Sequence, residues 1–172
     1  MPLLRSQLTA RVEQAINSLG WAFAAPDKEL LAALPTTVPI AVAWRWSSIA
    51  VRPAANQPGM GRTPMQKDLT YTIEYAAQVS RGTRQDSVYK YLALDLPDML
   101  AAALLDPVGP LFAIIPGPTG SLSSVMSVVM NDDAQRPPPL INAVSQVTGY
   151  LSFTVRAQID ARTSLAIEEN EV

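Results

Sequence analysis

Few residues in this sequence have the type and spacing to do chemistry. Asp132-Asp133 is the one adjacent acidic pair outside the C-terminal tail, and paired carboxylates can hold Mg²⁺ or Ca²⁺. No third ligand lies close by and the spacing of a calcium loop is absent, so the pair reads as a solvated loop. Gly59-Met-Gly61 has glycines spaced as in a phosphate-cradling loop, but neither the strand-turn-helix setting nor a Gly-Lys-Ser/Thr sequence follows. Ser121, Ser123 and Ser124 sit in a turn without an activating base, since the chain has no His and Lys28, Lys67 and Lys90 form no Ser-Lys motif. Trp44 and Trp46, with Arg45 between them, fit a stacking platform for a base or a sugar. A core strand with two inward indoles and an outward arginine explains the same pattern.

The absence of His removes the commonest general base and transition-metal ligand, and the absence of Cys removes disulfides and thiolate metal sites. The sequence therefore predicts no catalytic residue, no metal and no cofactor, and a non-enzymatic protein. A formal charge of −2 gives no overall attraction to phosphates, which argues against dedicated or sequence-specific nucleic-acid binding. The opening Met-Pro-Leu-Leu-Arg-Ser-Gln is no secretion signal, and no apolar run approaches the roughly 18 residues of a spanning helix. A soluble protein without membrane association is the expectation. Only 16 % of residues are charged against 48 % apolar, so much uncharged surface must meet something, copies of the chain included.

The elements that would position these residues follow from periodicity. Leu4, Leu8, Val12, Ala15, Ile16 and Leu19 recur at three and four residues and line one face of a helix, with Arg5, Arg11 and Glu13 toward water and Gly20 as its stop. Asp27 to Leu34 reads as a short helix capped by the aspartate and closed before Pro35. Val38 to Val51, with Ile40, Val42, Trp44 and Trp46 on one parity, reads as an edge or bent strand with a bulge at Ser47-Ser48. Arg52 to Asp68, rich in Pro, Gly and amides, reads as a long hairpin loop. Leu69 to Arg81 alternates without a break, placing Leu69, Tyr71, Ile73, Tyr75, Ala77 and Val79 inward and Thr70, Thr72, Glu74, Gln78 and Ser80 outward. It predicts a strand antiparallel to the Val38 strand, in a sheet with one covered face.

Gln85 to Leu105 reads as helix, with Val88, Tyr91, Leu92, Met99, Leu100, Ala103 and Leu104 as its apolar face. Pro97 kinks it or restarts a second helix, and Asp106-Pro107 ends it. Leu111 to Ile115 and Leu122 to Met130 read as short strands around the turn Pro116 to Gly120, and Asn131 to Pro139 as an exposed loop. Leu151 to Arg162 is a second clean alternation, with Leu151, Phe153, Val155, Ala157 and Ile159 inward. Residues 1–163 thus form one α+β domain, a mainly antiparallel sheet flanked by helices, and 164–172 an acidic tail with Glu168, Glu169 and Glu171. No internal repeat is present.

Arg45 to Lys90 carries seven basic and three acidic residues, while the rest carries six basic and twelve acidic. Such asymmetry suits head-to-tail assembly. The candidate contact residues with a partner or a second copy are Arg52, Arg62, Lys67, Thr70, Thr72, Glu74 and Gln78.

In its order of elements, size, low charge and lack of catalytic residues, the chain resembles the tail terminator (tail completion) proteins of tailed bacteriophages. The resemblance spans about Leu3 to Arg162. It is carried by the helix Leu4 to Leu19, by Leu69-Thr-Tyr-Thr-Ile-Glu-Tyr75 before the Asp86 to Leu105 helix, and by the strand around Phe153-Thr-Val-Arg156. The Pro107 to Pro139 region is longer than in the shortest such proteins. The resemblance implies a ring, six copies in the family, at the head-proximal end of a virion tail, assembled in the host cytoplasm. The ring would stop tail tube polymerisation, hold the last sheath ring in contractile tails, and join tail to neck or connector proteins. Two other functions fit the sequence: a connector or baseplate adaptor, and a small-ligand or carbohydrate-binding module using Trp44 and Trp46.

Overall fold

The computed structural model describes residues 5–34, 40–53, 65–79, 91–112, 125–131 and 146–159. The elements are helix α1 (Arg5–Asn17), strand β1 (Ala22–Phe23), a 3₁₀ turn (Leu31–Ala33), strands β2 (Ile40–Pro53) and β3 (Met65–Val79), a π-helical segment (Tyr91–Asp95), helix α2 (Leu96–Leu105), a 3₁₀ turn (Pro110–Phe112), and strands β4 (Val125–Met130) and β5 (Gln146–Ile159). They form a single α+β domain around a five-stranded sheet in the order β1-β2-β3-β5-β4. The β2/β3, β3/β5 and β5/β4 pairs are antiparallel, and β1 pairs parallel to β2.

The helices lie on one face of this sheet because the inward parity is apolar. Leu69, Tyr71, Ile73, Tyr75 and Ala77 of β3 and Leu151, Phe153, Val155, Ala157 and Ile159 of β5 are buried with Leu8, Val12, Ala15 and Ile16 of α1 and Leu96, Leu100 and Leu104 of α2. On the other face a smaller cluster of Ala24, Leu30, Leu34, Ala41, Ala43 and Ala76 covers one end. The expected bulge is present, with register shifting between Trp46 and Ser48. An extra residue there reverses the parity, so Ile49 and Val51 continue the inner row of Val42, Trp44 and Trp46.

α1 ends as expected: Gly20 has φ +78° and its N–H bonds Asn17 O at 2.9 Å. Glu13 does not simply face water, however. Trp46 Nε1 donates to Glu13 Oε1 at 2.8 Å and Trp44 Nε1 to Asn17 Oδ1 at 3.2 Å, and the Thr9 and Tyr71 hydroxyls lie 3.3 Å apart. Thr9, Glu13 and Asn17, four residues apart, form a polar stripe that meets the polar tips of inward aromatics. Those rings form a ladder across the sheet, with centroids 5.1 Å apart for Phe23–Trp44, 5.0 Å for Trp44–Trp46, 5.3 Å for Trp46–Tyr71 and 5.5 Å for Tyr71–Phe153.

Several expectations need correction. Asp27 to Leu34 is not an aspartate-capped helix: only Leu31–Ala33 is helical, as a 3₁₀ turn preceded by Leu30 without a side-chain cap. Its Leu30 and Leu34 are used to close the small second cluster. The strands run into the expected loop, since Arg52 pairs with Asp68 and Pro53 with Lys67. Backbone pairing, which is blind to side-chain polarity, carries them past the last alternating residue. β5 likewise starts at Gln146, five positions before Leu151.

Leu111 lies in a 3₁₀ turn rather than a strand, and plugs the core fully buried. The helix before Leu105 restarts near Pro97, with proline in the first turn of α2 as expected, but Tyr91–Asp95 is π-helical. Residues 1–4, 35–39, 54–64, 80–90, 113–124, 132–145 and 160–172 lie outside the described residues, and with them the expected turn at Pro116 to Gly120, the loop positions 132–139 and the tail 164–172.

Candidate interaction face

The face of the sheet opposite the helices carries the outward parity. On it, Arg45 of β2 is paired with Glu74 of β3 across the register, Nη2 to Oε2 at 2.7 Å. At the other end Arg156 of β5 grips Asp68 of β3 with two bonds, Nε to Oδ1 at 2.7 Å and Nη2 to Oδ2 at 2.9 Å. Fork-to-carboxylate geometry of this kind is the strong form of an ion pair. The Arg156 hydrogen bond, together with its charge and against partial burial, holds the Asp68 carboxyl below its ordinary value.

Between the two pairs runs a strip of small hydroxyls. Thr70 and Thr154 oxygens are 3.0 Å apart and Thr72 Oγ1 donates to Ser152 Oγ at 3.5 Å. Asn131, just past β4, donates from Nδ2 to Ser152 Oγ at 3.0 Å and to Thr154 Oγ1 at 3.2 Å. Gln146 Nε2 donates to Gln78 Oε1 at 3.4 Å beyond Tyr150. These polar side chains are thus satisfied laterally, by one another, rather than only by water.

Of the candidate contact residues, Arg52, Thr70, Thr72, Glu74 and Gln78 come together on this face. Arg52 is exposed and stands opposite Asp68, while Lys67 takes the other parity, between Pro53 and Ala157. Arg62 lies outside the described residues, as do Gly59, Gly61, Ser121, Ser123, Ser124, Lys90, Asp132 and Asp133. Asn131, Ser152, Thr154 and Arg156 complete the strip. Asn131 had no signal in its own segment; the others share the outward parity of Leu151 to Arg162, and only strand register reveals their partners.

Trp44 is fully buried on the helix side and Trp46 half-buried beside it, so the two indoles anchor α1 and Trp44 offers no ring for stacking. Among the described residues no group of three or more acidic side chains is placed to hold a metal ion, and no helix is long and apolar enough to cross a membrane. Comparison with known protein families finds no family model that matches the chain, and comparison with curated proteins finds no match.

Proposed function

We propose that this chain is a non-enzymatic structural subunit that assembles into a ring at the head-proximal end of a bacteriophage tail, where it ends tube polymerisation and joins tail to neck. The observation that carries the reading is the outer sheet face. Its Thr70, Thr72, Gln78, Asn131, Gln146, Ser152 and Thr154 side chains bond one another, and its Arg45–Glu74 and Arg156–Asp68 charges are internally neutralised. Such a face can be covered by another protein without stranding buried polar atoms, which is the chief cost of polar interfaces. A chain with neither His nor Cys, built as a rigid sheet under two helices, suits a scaffold.

The test adds the purified chain to polymerising tail tube protein. The reading expects tubes of arrested length with a disc of extra density at one end in electron micrographs. Tubes of unchanged length without end density refute it.

A further inference from the structure

The ring reading leaves open which surfaces join neighbouring copies, and the two edges of the sheet answer to one another. At one edge, β4 pairs with β5 on one side only, and no described strand lies beyond it. Asn131 N–H bonds Ser152 O at 3.0 Å, so alternation turns the backbone N–H and C=O of Val128 and Met130 away from β5. At the other edge, β1 covers β2 only at Ala43 and Trp44, and from Ser48 to Pro53 no described strand lies alongside.

Both edges carry unfinished burial. On the inner face Val128 and Met130 of β4 and Val51 of β2 are only partly buried against the core, and Ile49 of β2 is 43 % exposed. On the outer face Val129 of β4 is 57 % exposed, and at the opposite edge the uncharged Ser48 and Ala50 of β2 are exposed on the same face. The β4 strand has no charge and no proline, the usual devices that keep an edge strand single.

Direction agrees as well. Three antiparallel pairings separate β2 from β4, so β4 runs opposite to β2. Rotation about a ring axis along the strands keeps each strand's direction. The β4 edge of one copy then meets β2 of the next antiparallel, with inner faces on the same side. We propose that copies of this chain join through this pairing, β4 residues Ser127–Met130 against β2 residues Ser48–Pro53 of the neighbour, extending the sheet and its apolar layer around the ring. The inference rests on the ring reading, and makes the interface heterologous rather than two-fold.

The chain has no Cys, so paired cysteines read the contact directly. Ser127→Cys or Val129→Cys is combined with Ser48→Cys or Ala50→Cys in one chain, four combinations that sample the register. These outward, exposed positions leave the core intact, and circular dichroism checks the fold. Directly opposed cross-strand Cβ atoms lie roughly 4.5–5.5 Å apart, near the reach of a disulfide. Mild oxidation is expected to convert at least one double variant into a ladder of covalent oligomers on non-reducing gels, while every single variant stays at monomer size. In the cysteine-free chain, Val129→Lys is expected to weaken assembly at least tenfold. If scattering shows assembly and no double variant cross-links, the edge pairing is wrong and the ring reading stands. If Val129→Cys alone gives dimers, β4 pairs with itself and the inference fails. If the chain stays monomeric at high concentration, both fail.

Discussion

Gly149 of β5 sits directly opposite Tyr75 of β3, and the Tyr75 ring lies over it. A Cβ added there would stand 2.6 Å from the Tyr75 hydroxyl oxygen, 2.8 Å from Cζ and 2.9 Å from Cε1. Such separations are not tolerated, and Tyr75 is a buried core residue, so Gly149→Ala must displace the ring or part β3 from β5. Overpacking of this kind costs about 1–3 kcal/mol. Alanine returns roughly 0.5–1 kcal/mol by its lower unfolded-state entropy in a strand. The midpoints of the two ranges leave a net loss of about 1 kcal/mol, which at ~2–4 °C per kcal/mol for a chain of this size lowers Tm by about 2–4 °C. Urea denaturation followed by circular dichroism, with a thermal scan, measures both.

A second variant isolates the cause. Tyr75→Leu removes the ring, so Gly149→Ala in that background should cost less, with a coupling of about 0.5–3 kcal/mol. Tyr75→Phe keeps Cζ and Cε1 in place and should rescue little. A Gly149→Ala chain as stable as the parent, or equal costs in both backgrounds, refutes the reasoning.

Three further outcomes are expected. Glu13→Ala leaves the Trp46 indole N–H without its acceptor and should cost about 1–3 kcal/mol, whereas Glu13→Gln keeps an acceptor oxygen and should cost less, both read by urea denaturation and tryptophan fluorescence. Asn131→Ala removes the amide that partners the buried Ser152, and should cost about 1–2 kcal/mol by the same assay while Asn131→Asp, which cannot donate, falls no closer to the parent. Because Arg156 depresses the folded-state pKa of Asp68, the stability from that pair is complete above the unfolded carboxylate range and disappears as pH falls through the folded value. The gap between the parent and Asp68→Asn should therefore be constant well above the unfolded carboxylate value of about 4 and shrink progressively as pH falls below it, in a pH series of denaturation midpoints.

What could be read from the sequence was what repeats. Period two fixed Leu69 to Val79 and Leu151 to Ile159 as inward-and-outward strands, since each inward residue needs the same core. Period 3.6 did the same for Leu8, Val12, Ala15 and Ile16. Short apolar runs without a period were misread: Leu111 is buried whether its segment turns or extends, so burial alone did not distinguish a 3₁₀ turn from a strand. β1, two residues long, has no pattern to show, and the strand extensions at Arg52 and Gln146 are dictated by a partner's backbone. The outer face was half legible. Thr70, Thr72, Glu74 and Gln78 follow from parity, but Arg45–Glu74, Arg156–Asp68 and the Asn131 bridge depend on register between segments far apart in the chain.

The central claim is that this chain is a ring-forming scaffold, and the mass of the purified protein in solution tests it most directly. Light scattering behind size exclusion, across a concentration series, should give a mass near six chains, seen as closed rings in electron micrographs. A stable monomer at the highest concentration would contradict the account.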